Sequence, residues 1–278
     1  MSATKTQAFI LKTQDYRDTS LLAHVYTRDF GKIRGIVKGI RDTRARFGST
    51  LEPFSLNEIL FYKRRRGGDL HQVTQVDLVD DFASVRGDLE RLGYASYFIE
   101  LVNELTEPED PNPEIFDLLR DSLRFLASGA SAKRATRIFE VKFLEDLGLM
   151  PEISSCVVCR ADSPDPAFFN VALGGIRCKT CSQSRLAAPS GRLAGPTGIS
   201  PTGRQAAGRE PSAAVGIPVS KGTLNFLQHV RRAAVSDLHK VKVAQEVGGE
   251  LEKMLRRFVD FHLSNKLKSV IFMEKMGY

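Results

Sequence analysis

All four cysteines of the 278-residue chain fall within one short stretch, and their spacing is that of a metal site. Cys156 and Cys159 form one CxxC pair, Cys178 and Cys181 form a second, and eighteen residues separate the pairs. Each pair can offer two thiolates from one tight turn, and four thiolates complete the tetrahedral shell of a zinc ion. Because a filled shell leaves no position for water or substrate, the sequence predicts one structural Zn²⁺.

Two other uses of these cysteines compete with zinc. Two disulfides would require an oxidising compartment, but the first ten residues lack the charged segment and the apolar run of a secretory signal, so we expect the chain in the reducing cytoplasm. A redox CxxC would need one reactive pair in a thioredoxin-like setting rather than two matched pairs. Zinc is therefore the favoured interpretation.

The net charge of +7 is unevenly distributed along the chain. Residues 1–80 carry 14 Lys and Arg against 9 Asp and Glu, whereas residues 81–150 carry 8 against 14. A basic first segment predicts a polyanionic partner for that part of the protein. No apolar run approaches the roughly 18–20 residues of a membrane span, so we expect a soluble, cytoplasmic protein with no membrane partner.

The basic segment shows the period-two pattern of short β-strands. Five runs rich in Ile, Val, Leu, Phe and Thr predict strands over residues 8–12, 21–27, 32–38, 54–62 and 69–79. Five strands within residues 1–80 predict a small closed barrel of the OB-fold type, which is common among nucleic-acid-binding proteins. In the third run Ile33 and Val37 alternate with basic residues, so we expect an apolar interior and a positively charged outer face.

Cations on the third strand and in two neighbouring Gly-flanked segments make this barrel a predicted nucleic-acid surface. The predicted DNA-binding residues are Lys32, Arg34, Lys38, Arg41, Arg44, Arg46, Lys63, Arg64, Arg65 and Arg66. Four aromatic residues nearby in sequence are candidate stacking platforms for bases: Tyr16, Tyr26, Phe47 and Tyr62. The alternative is that the aromatic residues belong to the core and the arginines only keep the surface soluble.

From about residue 81 the apolar period changes to 3.6, which predicts a helical segment over 81–150 and closing helices over 219–278. Runs at 167–171 and 175–177 predict a hairpin inside a zinc module of residues 151–189. Residues 190–218, crowded with Gly, Pro and Ser, predict a flexible linker. Because the sequence predicts no sheet for the later helices to cover, we expect them to complete the earlier bundle. The predicted fold is α+β and multidomain: an OB-fold barrel of residues 1–80, then an all-α bundle with an inserted four-cysteine zinc ribbon.

Several short motifs, taken in order, resemble the RecO family of bacterial recombination mediators and DNA repair proteins. They are AFIL at 8–11, DYRDTS at 15–20, TRDFGK at 27–32, VKG at 37–39, LEPF at 51–54, residues 110–119, residues 139–151 joined to the first CxxC, FHL at 261–263 and LKS at 267–269. The resemblance covers nearly the whole chain, except the 190–218 linker, which is longer than the family needs, and the 221–245 region. It supports the barrel and the helical domain, and a zinc module occurs in many members of the family but not in all.

The resemblance also implies a function. Members of the family are expected to bind single- and double-stranded DNA, to anneal complementary strands, and to assist RecA loading onto DNA coated with single-strand binding protein. Their expected partners are RecR and the acidic C-terminal tail of that binding protein. Such a protein needs no catalytic residue, and the chain contains neither a P-loop nor an HExxH motif.

Two functions of other classes remain as alternatives. A zinc-dependent nucleic-acid enzyme would need an open metal position and a carboxylate as general base, which a shell of four cysteines does not provide. A zinc-ribbon transcription factor would place its DNA contacts on the ribbon rather than on the barrel.

Overall fold

A computed structural model of the chain describes residues 3–16, 19–38, 51–63, 70–184, 216–233 and 243–278. The chain forms two compact units. The first consists of Met1–Ala132 together with Leu267–Tyr278, and the second of Lys133–Lys266. The first unit therefore combines the barrel with the helices that follow it, whereas the predicted domain boundary between them lay at residue 80.

The first unit begins with a closed five-stranded barrel. Its strands are β1 (Ala3–Tyr16), β2 (Ser20–Thr27), β3 (Gly31–Val37), β4 (Leu56–Tyr62) and β5 (Leu70–Asp80). They are hydrogen-bonded in the order β1-β2-β3-β5-β4, and the pairing of β1 with β4 closes the barrel. Every pair is antiparallel except β3 with β5. This arrangement confirms the predicted OB-fold barrel.

The alternation predicted for β3 is also confirmed. Ile33 and Val37 are buried in the barrel interior, whereas Arg34 and Lys38 are exposed. Between them lies Gly35, where a Cβ would come within 2.5 Å of Cγ2 of a valine on β5. The Val73 side chain fills the space that a Cβ would need, which favours glycine here.

The helices of the described residues are α1 (Ala83–Arg86), α2 (Leu89–Leu105), α3 (Pro113–Ala127), α4 (Ala132–Asp146), α5 (Lys179–Gln183), α6 (Lys221–Arg232), α7 (Gln245–His262) and α8 (Lys268–Met276). Asn112 caps α3 by accepting from the backbone N–H of Ile115, and Pro113 occupies the first helical position, where no N–H is needed. Phe9 of β1 packs on Phe116 of α3 with ring centroids 5.0 Å apart, which joins the barrel wall to the helices.

Helix α8 is the part of the first unit that comes last in the chain. The carboxylate of Glu100 on α2 accepts hydrogen bonds from the backbone N–H groups of Lys268 and Ser269, at 2.8 and 2.9 Å. It also accepts one from the Ser269 hydroxyl at 2.6 Å. Further along, Gly93 of α2 leaves room for the Met273 side chain. Helix α8 is therefore held against α2 at both ends of their contact.

The second unit contains a three-stranded sheet in the order β7-β6-β8, formed by β6 (Ala167–Asn170), β7 (Gly175–Cys178) and β8 (Ile217–Val219). The predicted hairpin corresponds to β6 and β7. Strand β8 corrects the predicted linker, because Ile217 and Pro218 pair with β6. The rest of that linker, up to residue 215, lies outside the described residues.

The expectation that the later helices have no sheet to cover is wrong. Phe258 of α7 makes a T-shaped contact with Phe169 of β6, with ring centroids 5.6 Å apart. Leu251, Met254 and Leu255 of the same helix are also fully buried. Helix α7 therefore packs against the sheet that carries the cysteines. Within the described ranges, no helix is long and apolar enough to cross a membrane.

Candidate metal centre and nucleic-acid interface

The four cysteines are positioned by two short turns and the β7 strand. Cys156 and Cys159 lie at the ends of one turn, while Cys178 ends β7 and Cys181 follows in α5. The first turn is fixed beside β7 because Val157 donates from its backbone N–H to the carbonyl of Ile176 at 2.9 Å. A Cβ on Gly175 would lie 2.5 Å from the Val157 side chain, so this close packing needs glycine.

The sulfur atoms have the geometry of a tetrahedral metal site. All four Sγ atoms lie within 4.8 Å of one another, and the Sγ atoms of Cys159 and Cys178 are 3.7 Å apart. Four thiolates at about 2.3 Å from one zinc ion would have sulfur–sulfur distances of about 3.8 Å. All four cysteines are free thiols, and 3.7 Å is far from the roughly 2.05 Å of a disulfide. The cluster therefore fits one metal ion and not two disulfides.

Backbone donors surround the sulfurs. The N–H of Cys178 donates to Sγ of Cys156 and the N–H of Cys181 donates to Sγ of Cys178, both at 3.4 Å. Burial raises the pKa of the Cys156 thiol, but backbone N–H donors outweigh it and lower that pKa to about 6. Burial and the neighbouring sulfurs raise the pKa of Cys181 to about 12. Four thiolates this close together need a cation among them, and a divalent metal ion supplies that charge.

The outer face of the barrel carries the described part of the candidate nucleic-acid interface. Arg34 and Lys38 on β3 and Lys63 after β4 are exposed. Ile36 pairs with Gln72 and Gln72 pairs with Tyr62, so the ends of β3 and β4 lie level, about 10 Å or two strand spacings apart. The last residues of β3 and β4 therefore lie in one area of the barrel surface. Six of the predicted DNA-binding residues lie outside the described residues: Arg41, Arg44, Arg46, Arg64, Arg65 and Arg66.

Lys32 is half-buried, and its ammonium group contacts the helices that follow the barrel. Its Nζ donates to the carbonyl oxygens of Asn103 and Thr106, at 2.6 and 2.5 Å. These carbonyls end α2, where the helix dipole favours a positive charge. Burial lowers the pKa of Lys32, although two nearby glutamates act in the opposite direction. Lys32 therefore caps a helix, a role that its place among the predicted DNA-binding cations did not indicate.

The aromatic residues that were predicted as stacking platforms differ in their exposure. Tyr26 is fully buried, and its hydroxyl donates to the Asn112 carbonyl at 3.3 Å, so its prediction as a stacking platform is wrong. Tyr16 and Tyr62 are half-buried on the barrel, and Phe47 lies outside the described residues. The contact of Phe30 with a predicted DNA-binding cation was not predicted. Its ring centroid lies 4.3 Å from Nζ of Lys63, and the ring packs on the barrel core. The sequence feature that could have indicated this contact is the position of Phe30 in an Asp-Phe-Gly turn, where an apolar side chain is unusual.

Comparisons with known proteins assign the chain to a family. The family model described as Recombination protein O N terminal matches residues 1–82, and the model described as Recombination protein O C terminal matches residues 86–195 and 198–271. A DNA repair protein RecO of Syntrophus aciditrophicus is 30% identical over 274 residues, which cover 98% of this chain and 95% of that protein. A DNA repair protein RecO of Pelotomaculum thermopropionicum is 30% identical over 277 residues, covering 100% and 96%. Matched at both ends, with the predicted barrel and cysteine cluster in place, the chain belongs to the RecO family of DNA repair proteins.

Proposed function

We propose that this protein is a recombination mediator that binds single- and double-stranded DNA, anneals complementary strands and assists RecA loading onto DNA coated with single-strand binding protein. The observation that supports this proposal is the closed barrel with exposed cations on one part of its surface, in a chain that the RecO family models match at both ends. The proposed partners besides DNA are RecR and the acidic C-terminal tail of the single-strand binding protein, and the proposed location is the cytoplasm, at the nucleoid.

The proposed mechanism is electrostatic. Arg34, Lys38 and Lys63, with the arginines of residues 41–46 and 64–66, neutralise phosphates and release condensed counterions. Repulsion between two strands held on one protein is then lower, and base pairing itself drives annealing. Tyr62, half-buried at the end of β4 and next to Lys63 in the chain, offers a ring on which a base can stack. No covalent step is required, so the protein acts without a catalytic residue.

For the metal centre, we propose one Zn²⁺ held by Cys156, Cys159, Cys178 and Cys181. A bound zinc ion would cross-link the first turn to β7 and α5, and so stabilise this part of the small three-stranded sheet. In this proposal residues 151–189 form a structural module and residues 1–80 form the DNA-binding part. Metal analysis of reduced protein should find one zinc equivalent for each chain.

The DNA-binding proposal is tested by charge reversal on the barrel. The variant combines Arg34→Glu, Lys38→Glu and Lys63→Glu, and its matched control is Lys275→Glu, an exposed lysine on α8. Fluorescence anisotropy with single-stranded DNA is measured between low and moderate salt. We expect the wild-type affinity to fall steeply with salt, and the salt slope of the triple variant to be smaller by about 2, at about 0.7 for each cation removed. The rate of strand annealing should fall together with the DNA affinity of the triple variant.

The alternatives give different results. Salt-insensitive binding by the wild type, or unchanged binding by the triple variant, would contradict the electrostatic proposal. If charge reversal at Arg160 and Lys179 of the cysteine module abolished binding instead, the transcription-factor alternative would be favoured. Turnover of DNA or nucleosides that Cys178→Ser abolishes would favour a zinc-dependent enzyme.

A further inference from the structure

The four sulfurs of the metal centre differ in how far solvent reaches them. Cys159 is exposed and Cys178 is half-buried, whereas Cys156 is 0% exposed and Cys181 is 9% exposed. A small oxidant dissolved in water therefore meets Cys159 before the other three. Susceptibility of cysteine to oxidation follows thiolate character and exposure, and metal binding supplies the thiolate form.

The sulfur best placed to react next is that of Cys178. Its Sγ lies 3.7 Å from Sγ of Cys159, so a disulfide of about 2.05 Å requires the two sulfurs to approach by about 1.7 Å. Cys156 is enclosed by the core. Cys181 is buried within α5. The accessible pair thus links the two CxxC turns, because Cys159 belongs to the first turn and Cys178 to the second.

We propose that Cys159 and Cys178 form an oxidation site, at which a peroxide converts two metal-bound thiolates into a disulfide and the metal is released. The proposal rests on the Zn²⁺ proposed above. The Cys159 thiolate attacks one peroxide oxygen, the O–O bond breaks, the other oxygen leaves as hydroxide, and a sulfenic acid forms. The Cys178 thiolate then attacks that sulfur, the S–S bond forms, and hydroxide leaves. Two thiolates lose two electrons and the peroxide gains them. The zinc ion, left with two of its four ligands, dissociates.

The site is connected to the packing of the second unit. Cys178 is the last residue of β7, which pairs with β6, and Phe169 of β6 packs on Phe258 of α7. Without the metal this short hairpin is held by its backbone hydrogen bonds and its apolar contacts alone. Oxidation therefore loosens the attachment of the cysteine module to α7, and a thiol reductant with zinc restores it.

The first experiment uses the full chain without substitution. Reduced, zinc-loaded protein is treated with one equivalent of hydrogen peroxide, zinc release is followed with a chromogenic chelator, and disulfides are mapped by differential alkylation and peptide mass spectrometry. We expect one zinc ion released for each disulfide, with the Cys159–Cys178 link formed first. A first disulfide within either CxxC pair, or a disulfide formed without release of zinc, would overturn the proposal.

Two variants that each remove one thiol give a matched comparison in metal-free protein. Cys181→Ser retains the reactive pair, so the same link should form under peroxide, whereas Cys159→Ser should form no disulfide on that timescale. Equal rates for the two variants would refute the role of Cys159. If the wild-type protein contains no zinc but still forms the Cys159–Cys178 link, the metal proposal fails and the oxidation site stands.

Discussion

Replacement of Lys32 by methionine separates helix capping from DNA binding. The substitution keeps most of the aliphatic stem but removes the ammonium group, leaving the carbonyls of Asn103 and Thr106 without their donor. Hydrogen bonds that involve a charged group contribute about 1.5–3 kcal/mol each, and a cation at a helix C-terminus adds about 0.3–1 kcal/mol. Burial of the ammonium offsets part of this gain, as its lowered pKa indicates. We expect Lys32→Met to lower the free energy of unfolding by about 2–4 kcal/mol.

The matched control is Lys38→Met on the same outer face. Lys38 is exposed, so its replacement should change the free energy of unfolding by less than about 0.5 kcal/mol. The DNA affinities should show the reverse order: Lys38→Met weakens binding and reduces its salt dependence, while folded Lys32→Met binds like the wild type. Urea unfolding is followed by circular dichroism because the chain contains no tryptophan, and DNA binding is measured without urea.

The capping role of Lys32 can be refuted by the same two measurements. If Lys32→Met unfolds at the wild-type urea concentration and loses as much DNA affinity as Lys38→Met, then Lys32 contacts phosphate and the capping role is wrong. Hydrogen exchange gives an independent check, because loss of the cap should speed exchange near the end of α2 and leave the centre of β1 unchanged.

Three further predictions concern single sites. Tyr62→Ala should weaken binding of single-stranded DNA by about 1–3 kcal/mol because a stacking ring is lost; Tyr26→Phe, its buried counterpart, should leave that affinity unchanged, and anisotropy titrations compare the two. Burial raises the pKa of Glu250, but the donors of Thr223 and Ser220 outweigh it, so the pKa is lowered. Its carboxylate therefore stabilises the fold above its unfolded pKa of about 4.3, and this contribution is lost as pH falls through the lower folded value. We expect Glu250→Gln to cost about 1 kcal/mol at neutral pH and nothing in strong acid, as urea midpoints across pH would show. A chelator, or Cys178→Ser, should speed hydrogen exchange in β6 and β7 while the barrel amides stay protected.

Local patterns in the sequence predicted the parts of the site that are local in the fold. The two CxxC pairs lie on turns beside one hairpin, so their spacing alone indicated that four sulfurs would meet. The alternation in β3 predicted which side chains line the barrel, because a strand places successive residues on opposite faces. Both predictions depended on residues that are neighbours in the chain.

Contacts between distant parts of the chain could not be read in this way. Lys32 and Arg34 are both basic residues of the same strand, and the sequence does not distinguish them. Lys32 differs by its hydrogen bonds to carbonyl groups more than 70 residues later in the chain. Tyr26 similarly reaches Asn112. Strand β8 was missed because three residues after a Gly-rich stretch, one of them Pro218, give almost no strand signal. The hairpin of β6 and β7 was predicted, but no local pattern indicated that Phe258 packs on Phe169 of β6.

The attachment of α8 to α2 has a consequence for how the protein is made. Because Leu267–Tyr278 belongs to the first unit, that unit is interrupted in sequence by the whole of Lys133–Lys266. Domains generally fold as they leave the ribosome, N-terminal parts first. Here the barrel can close early. The α2 surface around Gly93 and the Glu100 carboxylate can make their contacts with α8 only after residues 268–276 have been synthesised. Helix α8, which is translated after the whole of the second unit, therefore completes the first unit.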